Sequence, residues 1–316
     1  MNYTFLIPAF KAKYIRDTLQ SIQGQSYTNY KVLISDDCSL ENIRSSCESF
    51  LSDFRFLYRR NIENIGGKNL VKHWNLLVDM CETEYLILAS DDDIYDSCFL
   101  EKIDKLVRKY PECDIFRARV RRVDENCNII RRDACYEEYV SQIEYIAQRY
   151  YTNSVQCISN YVFRTKALKR KGGFIDFPLA WYSDVATTVM MAEHGLVNTR
   201  DLLFSFRISS ENISTVKQQS PTVHKKKLEA ALMFDQWLVN LLNKLTWPQS
   251  KEYELIKSFI ESHHRKDIYY NISCYRDALS LKELWKLAKK YRSLGYIDNK
   301  YLFFKLIQKK LLDYKG

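Results

Sequence analysis

Glycine and proline are scarce, 8 and 5 among 316 residues, against average usage of about 7% and 5%. This excludes a collagen-like, low-complexity or linker-dominated chain. No apolar run approaches the roughly 18 residues that a membrane-crossing helix needs. The opening stretch MNYTFLIPAF has no basic region ahead of its short, strand-like apolar run, so no signal peptide is expected. Nine cysteines make an odd set without a single C-x-x-C pair. Their spacing fits neither a zinc ribbon nor a small disulfide scaffold, and reduced, mostly buried thiols in a cytoplasmic protein are expected. His194, His224, His263 and His264 show no metal-ligand spacing.

What is present describes a globular protein: 46% hydrophobic and 28% charged residues, in a length that suggests about two domains. The net charge of +9 is unevenly placed. Residues 1–220 balance 29 basic against 29 acidic side chains, whereas residues 221–316 hold 19 basic and 10 acidic. The whole excess sits in the last 96 residues, which points to two parts with different surroundings.

The first hundred residues alternate between the two hydrophobic periods. Strands are predicted at Tyr3–Pro8, Tyr30–Ser35, Phe54–Arg59 and Tyr85–Ala89, with helices at Ile15–Gln23, Leu40–Leu51 and Lys68–Met80. Further on come a helix at Phe99–Lys109, a strand at Ile115–Val123, a strand or turn at Ser154–Arg164, a helix at Asp184–His194 and a strand at Leu202–Ile208. Such alternation implies a mostly parallel sheet with right-handed crossovers. Ligands of such sheets bind beyond the carboxyl ends of the strands. Asp36-Asp37 and Asp91-Asp92-Asp93 both fall there. From Pro221 onward the spacing is helical, with predicted helices at Lys225–Leu245, Tyr253–His264, Leu281–Tyr291 and Tyr301–Leu312.

Three adjacent Asp at a strand end repel one another unless a cation relieves them. Mg2+ and Mn2+ take one or two carboxylates together with phosphate oxygens, so a metal-bound diphosphate is the natural partner. The plain alternative is a solvated acidic loop or cap ahead of the helix at Phe99. An EF-hand is excluded because the required Gly and terminal Glu are missing.

Several segments carry a specific resemblance. TFLIPAF, LQSIQGQSYTNYKVLISDDCS, NIENIGGKNLVKHWNLLVDMCETEYLILASDDD and GGFIDFPLAWYSD occur in order over about residues 1–215. They resemble the motif series of family 2 glycosyltransferases. The fold this implies is α/β, the GT-A nucleotide-diphospho-sugar transferase fold with a Rossmann-like, mostly parallel sheet. A GT-A catalytic domain at 1–220 would be followed by a basic C-terminal α-helical domain at 221–316.

The resemblance assigns roles. Pro8, Ala9 and Phe10 would line the base pocket, and Asp36 or Asp37 would bind uracil or ribose. Asn75 belongs to the donor-site series. Asp91, Asp92 and Asp93 would form the D-x-D element. It reads either as Asp91-x-Asp93 or with Asp92-Asp93 as the paired Asp and Ser90 where the first Asp usually stands. Both registers keep Asp93, which makes it the expected ligand of Mn2+ or Mg2+, with Asp91 beside it. Asp184 matches the catalytic base, although Ser183 replaces the Glu that usually precedes it. Trp181 and Tyr182 would wall the acceptor sugar, and Arg207 would meet the diphosphate. Trp74 replaces the Arg usual before Asn75, leaving Lys68, Lys72 or His73 for a phosphate contact or for solvent.

The reaction so implied is inverting transfer from a nucleotide sugar, UDP-linked by expectation, to a hydroxyl of a glycan or lipid-linked acceptor in bacterial surface-polysaccharide synthesis. A non-catalytic nucleotide- or polysaccharide-binding protein and a sugar nucleotidyltransferase are the alternatives. The latter normally shows a Gly-rich loop where Phe10-Lys11-Ala12-Lys13 stands. In the tail, Lys225-Lys226-Lys227, Lys286, Lys289-Lys290, Arg292, Lys305 and Lys309-Lys310 alternate with Trp237, Trp247, Trp285, Phe303 and Phe304. That pattern suits a packed helical bundle or a peripheral face on an anionic membrane at the cytoplasmic side. No motif supports nucleic-acid binding.

Overall fold

The computed structural model describes residues 1–150, 155, 157–209 and 220–296. The predicted helix Tyr301–Leu312, with Phe303, Phe304, Lys305, Lys309 and Lys310, lies outside the described residues. The strands are β1 (Tyr3–Ala9), β2 (Tyr30–Asp36), β3 (Phe56–Arg60), β4 (Tyr85–Leu88), β5 (Ile94–Tyr95), β6 (Ile115–Val123), β7 (Ile129–Arg132), β8 (Tyr139–Val140), β9 (Tyr161–Arg164) and β10 (Leu196–Arg207). The α-helices are α1 (Ile15–Gln23), α2 (Ile43–Cys47), α3 (Leu70–Met80), α4 (Phe99–Lys109), α5 (Gln142–Gln148), α6 (Thr165–Arg170), α7 (Ser183–Met191), α8 (Pro221–Leu242), α9 (Lys251–Tyr275) and α10 (Leu281–Ser293).

By its contacts the chain divides into two units. One comprises Met1–Asp176 and Ser183–Val216; the other joins Phe177–Tyr182 to Lys217–Gly316. The first unit holds a mixed sheet in the order β3-β2-β1-β4-β9-β6-β10-β5. β3, β2, β1 and β4 run parallel, whereas β9 is antiparallel to both β4 and β6. β1 is covered on both faces and is apolar almost throughout, as a central parallel strand must be. Because β2 lies on one side of β1 and β4 on the other, the strand order reverses beside β1.

Pro8 sharpens that switch point. Leu6 accepts from Ala89 N on the β4 side, and successive strand residues point their amides to opposite sides. The N–H that Pro8 lacks is therefore on the β4 side. Pairing of β1 with β4 stops at Leu6 and Leu88, while pairing with β2 continues to Ala9. The sheet opens there into a crevice.

The predicted helix at Leu40–Leu51 shortens to α2 and a 3-10 turn at Glu48–Phe50. Local side-chain bonds explain this. Ser39 Oγ accepts from Glu41 N, and Asn42 Oδ1 accepts from Ser45 N, so the helix cannot begin before residue 43. β5, β7, β8, α5 and α6 were not predicted; two of these strands have only two residues, too short for any periodicity.

In the second unit, α8, α9 and α10 close on Leu228, Ile268, Ile272, Leu284, Ala288 and Tyr291. α10 buries Leu284, Ala288 and Tyr291 and turns Trp285, Lys286, Lys289 and Lys290 outward. No helix among the described residues is long and apolar enough to cross a membrane.

Candidate active site

The site is assembled from the loops that leave β1, β2 and β4. After β4 the three Asp face different ways. Asp91 Oδ2 accepts the backbone N–H groups of Phe10 and Lys11, each at 2.9 Å. This ties the end of β4 to the loop after β1 across the switch point. Asp92 is 8% exposed. Asp93 is fully buried, and its Oδ1 accepts Arg207 N at 3.0 Å. The cation contact expected of Asp93 thus meets a carboxylate turned into the protein. Asp91 is half-buried, and Asp92 keeps only slight exposure.

Burial raises the pKa of all three, and the charge of each preceding Asp adds to it at Asp92 and Asp93. Asp92 is pushed up to about 6. Among the described residues no group of three His, Cys, Asp or Glu could hold a metal ion by itself. A divalent cation here would rest on Asp91 and Asp92 and complete its shell with other oxygens, such as those of a diphosphate. Crowded, charge-destabilised carboxylates fit that demand.

Arg207, expected at the diphosphate, is buried at 1% exposure. Its Nε donates to Asp92 O, one terminal nitrogen to Glu125 O and the other to Asp17 Oδ2, at 3.0, 3.0 and 2.8 Å. These contacts make it a strut that fixes the acidic loop from behind.

Asp36 and Asp37 are likewise internal. Asp36 accepts from Ser39 N, Tyr58 OH and Arg60. Asp37 accepts from Asn61 Nδ2 at 2.8 Å, Ile65 N at 3.0 Å and Gly66 N at 2.6 Å. Both were expected to touch the nucleoside; the Asp37 carboxylate braces the loop at 61–66, and that of Asp36 ties together Ser39, Tyr58 and Arg60. Gly66 is needed there because a Cβ would lie 2.8 Å from Asp37 Oδ2. His73, expected at a phosphate or in solvent, is buried behind this loop between Ser35, Asn61 and Asp37. Burial lowers its pKa and keeps it neutral. Pro8 is partly buried, Ala9 buried and Phe10 exposed at the crevice.

Asn75 clasps the loop before α7. Its Oδ1 accepts Phe174 N at 2.7 Å and its Nδ2 donates to Phe174 O at 3.0 Å. Gly173 has φ +83° and would bring a Cβ within 2.4 Å of Asn75 Oδ1. Gly173→Ala is expected to cost about 2–4 kcal/mol of stability, from backbone strain plus the clash. Gly172, at φ +87° with nothing within 4 Å, should cost only about 1 kcal/mol as Ala, the strain alone. Denaturant midpoints of the two variants, read side by side, check this.

Asp184 lies in the first turn of α7, half-buried, with Oδ1 accepting Val185 N at 2.8 Å. Burial pushes its carboxyl above the ordinary range. Sequence reasoning missed the residues packed around the acidic loop and Asp184. Cys157 is buried with Sγ 3.9 Å from Asp93 Oδ2, and burial and the charges of Asp93 and Asp184 raise its pKa. The thiol stays protonated. Ser159 Oγ accepts Ser90 N at 3.1 Å and anchors the same loop. Arg149 also faces Asp184 and favours its charged form. None of these three carries a sequence signal, since each matters only through long-range proximity.

Trp181 and Tyr182 were expected at the acceptor. The Lys227 ammonium stands 3.9 Å from the Trp181 ring centroid. Tyr182 stacks on Phe234, with centroids 4.8 Å apart and planes at 9°. These contacts lie within the second unit, and they give both rings a packing role.

The profile of glycosyl transferase family 2 matches residues 4–172, more than half of the chain. The chain belongs to this family. Glycosyltransferase GlyG of Streptococcus pneumoniae is 24% identical over 143 residues, which cover 43% of the chain and 46% of that protein. The chain thus spans about half the length of that relative. Among solved structures, S. aureus TarS 1–349 in complex with UDP-GlcNAc superposes with a TM-score of 0.68. That match is 14% identical and covers 99% of this chain and 92% of that one. Mannosyltransferase PcManGT from Pyrobaculum calidifontis, solved with GDP-Man and Mn2+, gives 0.55 at 14% identity, covering 98% and 87%. This family 2 member therefore has the GT-A fold followed by a helical region.

Proposed function

We propose that the chain transfers a sugar from a nucleoside-diphosphate donor, UDP-linked, to a hydroxyl of a glycan or lipid-linked acceptor of surface polysaccharide, with inversion. The observation that carries this is the meeting of Asp91 with the Phe10-Lys11 amides at the switch point. The nucleoside is seated by the backbone at 8–10 and by the 61–66 loop that Asp37 braces. Asp91 and Asp92 would hold Mn2+ or Mg2+, with Asp93 behind them, and the cation when bound would draw charge off the departing diphosphate. Asp93 and Arg207 fix the backbone from which those carboxylates project.

Asp184 takes the proton of the acceptor hydroxyl as its oxygen attacks the anomeric carbon opposite the leaving group. The bond to the diphosphate oxygen breaks, and the configuration inverts. UDP-GlcNAc in the TarS complex supports a UDP donor, while GDP-Man in PcManGT makes GDP the alternative. Release of UDP or GDP, screened over a panel of sugar nucleotides with and without EDTA, tests the reading. Turnover with a UDP-sugar that stops in EDTA and returns with Mn2+ or Mg2+ is expected. No release from any donor would favour a binding protein on the same fold.

The lysines that α10 presents suit attraction to an anionic inner leaflet. Co-sedimentation with anionic vesicles at low salt is expected, falling as salt shortens the Debye length to about 8 Å. Neutralising Lys286, Lys289 and Lys290 together should weaken it, since each contributes about 1 kcal/mol near such a surface. Equal sedimentation of the triple variant and wild type at both salt levels would remove the membrane reading.

A further inference from the structure

Residues 177–182 form a strap with unusual backbone. Leu179, Ala180 and Tyr182 have φ of 59°, 56° and 67°, and none is glycine. Left-handed conformations of this kind persist only where the surroundings over-determine them. Here the determinants are aromatic rings of α8 and a side-chain amide of α9. Tyr182 stacks flat on Phe234, Phe177 meets the same ring edge-on, and Phe234 in turn stacks on Trp237. Asn271 Nδ2 donates to Tyr182 OH at 3.1 Å, and the buried Lys227 covers Trp181.

Both ends of the strap run into pinned backbone. Before it, Phe174 is held by Asn75, and Ile175 N donates to Thr187 Oγ1 at 2.9 Å. After it, Ser183 is fully buried, and its carbonyl accepts the same Thr187 hydroxyl at 2.7 Å. Asp184 is the next residue. With φ of Tyr182 fixed by its ring stack and Ser183 fixed by Thr187, little freedom remains in the peptide that carries Asp184.

We propose that Tyr182 is a positioning residue: its clasp on Phe234 and Asn271 holds a strained strap that sets the placement of the Asp184 carboxylate. The inference rests on Asp184 being the base. It accounts for an aromatic next to the base whose ring face is covered by protein.

The test compares Tyr182→Ala, Tyr182→Phe and Phe234→Leu with wild type and Asp184→Asn. Turnover is followed as hydrolysis of whichever sugar nucleotide wild type cleaves fastest, with water as acceptor. Tyr182→Ala and Phe234→Leu should lower kcat by about 10-fold, the loss expected of a base displaced by a fraction of an ångström, with KM for the donor within twofold. Tyr182→Phe keeps the stack and should return kcat to within threefold. Val185 N–H, which donates to Asp184 Oδ1, reports the carboxylate's placement without any substrate. Its amide exchange should quicken in Tyr182→Ala and Phe234→Leu but not in Tyr182→Phe, with β1 and β4 amides unchanged. Unchanged Val185 exchange in Tyr182→Ala overturns the proposal, as does a loss carried wholly by KM. If Asp184→Asn itself turns over normally, the assignment of the base fails instead, and the Val185 exchange still reports on the strap.

Discussion

Asp184→Asn is expected to lose about 100-fold or more in sugar transfer while donor affinity stays within a few-fold. The magnitude is that of a positioned general base. The substitution is nearly isosteric and keeps Oδ1, the atom that accepts Val185 N, so the first turn of α7 stays in place. What it removes is the capacity to take a proton. Burial has already moved this carboxyl upward, which makes it a stronger base near neutral pH than a solvated Asp. Nucleotide binding by calorimetry, beside transfer rates at saturating donor, separates the two effects. Loss of donor binding with transfer intact would put Asp184 in the donor seat and leave the base unassigned.

Asp92→Asn should lower turnover by at least about 100-fold, because a charged ligand of the leaving-group cation is lost. The same variant carries a stability signature. The folded pKa of Asp92 is raised to about 6 by burial and the Asp91 charge, above the ordinary value of about 3.9. A raised carboxyl favours folding most below the unfolded pKa, and that contribution is lost as pH rises through the folded one. In metal-free protein, the fall in Tm from pH 4 to pH 7 should therefore be smaller in Asp92→Asn than in wild type. Mn2+ or Mg2+ should raise the wild-type Tm more at pH 7.5 than at pH 5, since only the ionised pair attracts a cation. Full turnover in EDTA, or a near-normal Asp92→Asn enzyme, would overturn the assignment.

Strands β1, β2 and β4 were legible because each carries a run of Val, Ile, Leu or Phe that ends at Pro, a turn or an acidic residue. Helices α1 and α4 fall on their predicted limits because their spacing is strong and nothing local competes. The acidic cluster was legible as a rim feature. Which Asp faces outward was not. That depends on the turn of the chain after Ala89 and on amides of Phe10 and Lys11, eighty residues away in sequence. Asp36, Asp37 and Arg207 show the same limit. A carboxylate at a strand end can meet a ligand or brace a loop, and only the donors around it decide. The partner of Tyr182, Phe234, lies outside every motif, so the stack between them has no sequence signal.

Because the helical unit takes in residues 177–182, it is not a tail that can be trimmed. A truncation at 216 would remove Phe234 and Asn271 yet leave Phe177, Trp181 and Tyr182 behind, three aromatic rings stripped of their cover. Such a fragment is an aggregation hazard, whatever the integrity of the sheet. An exchange of helical units between relatives faces the same constraint, and the six-residue segment has to travel with its helices for the graft to be a whole module.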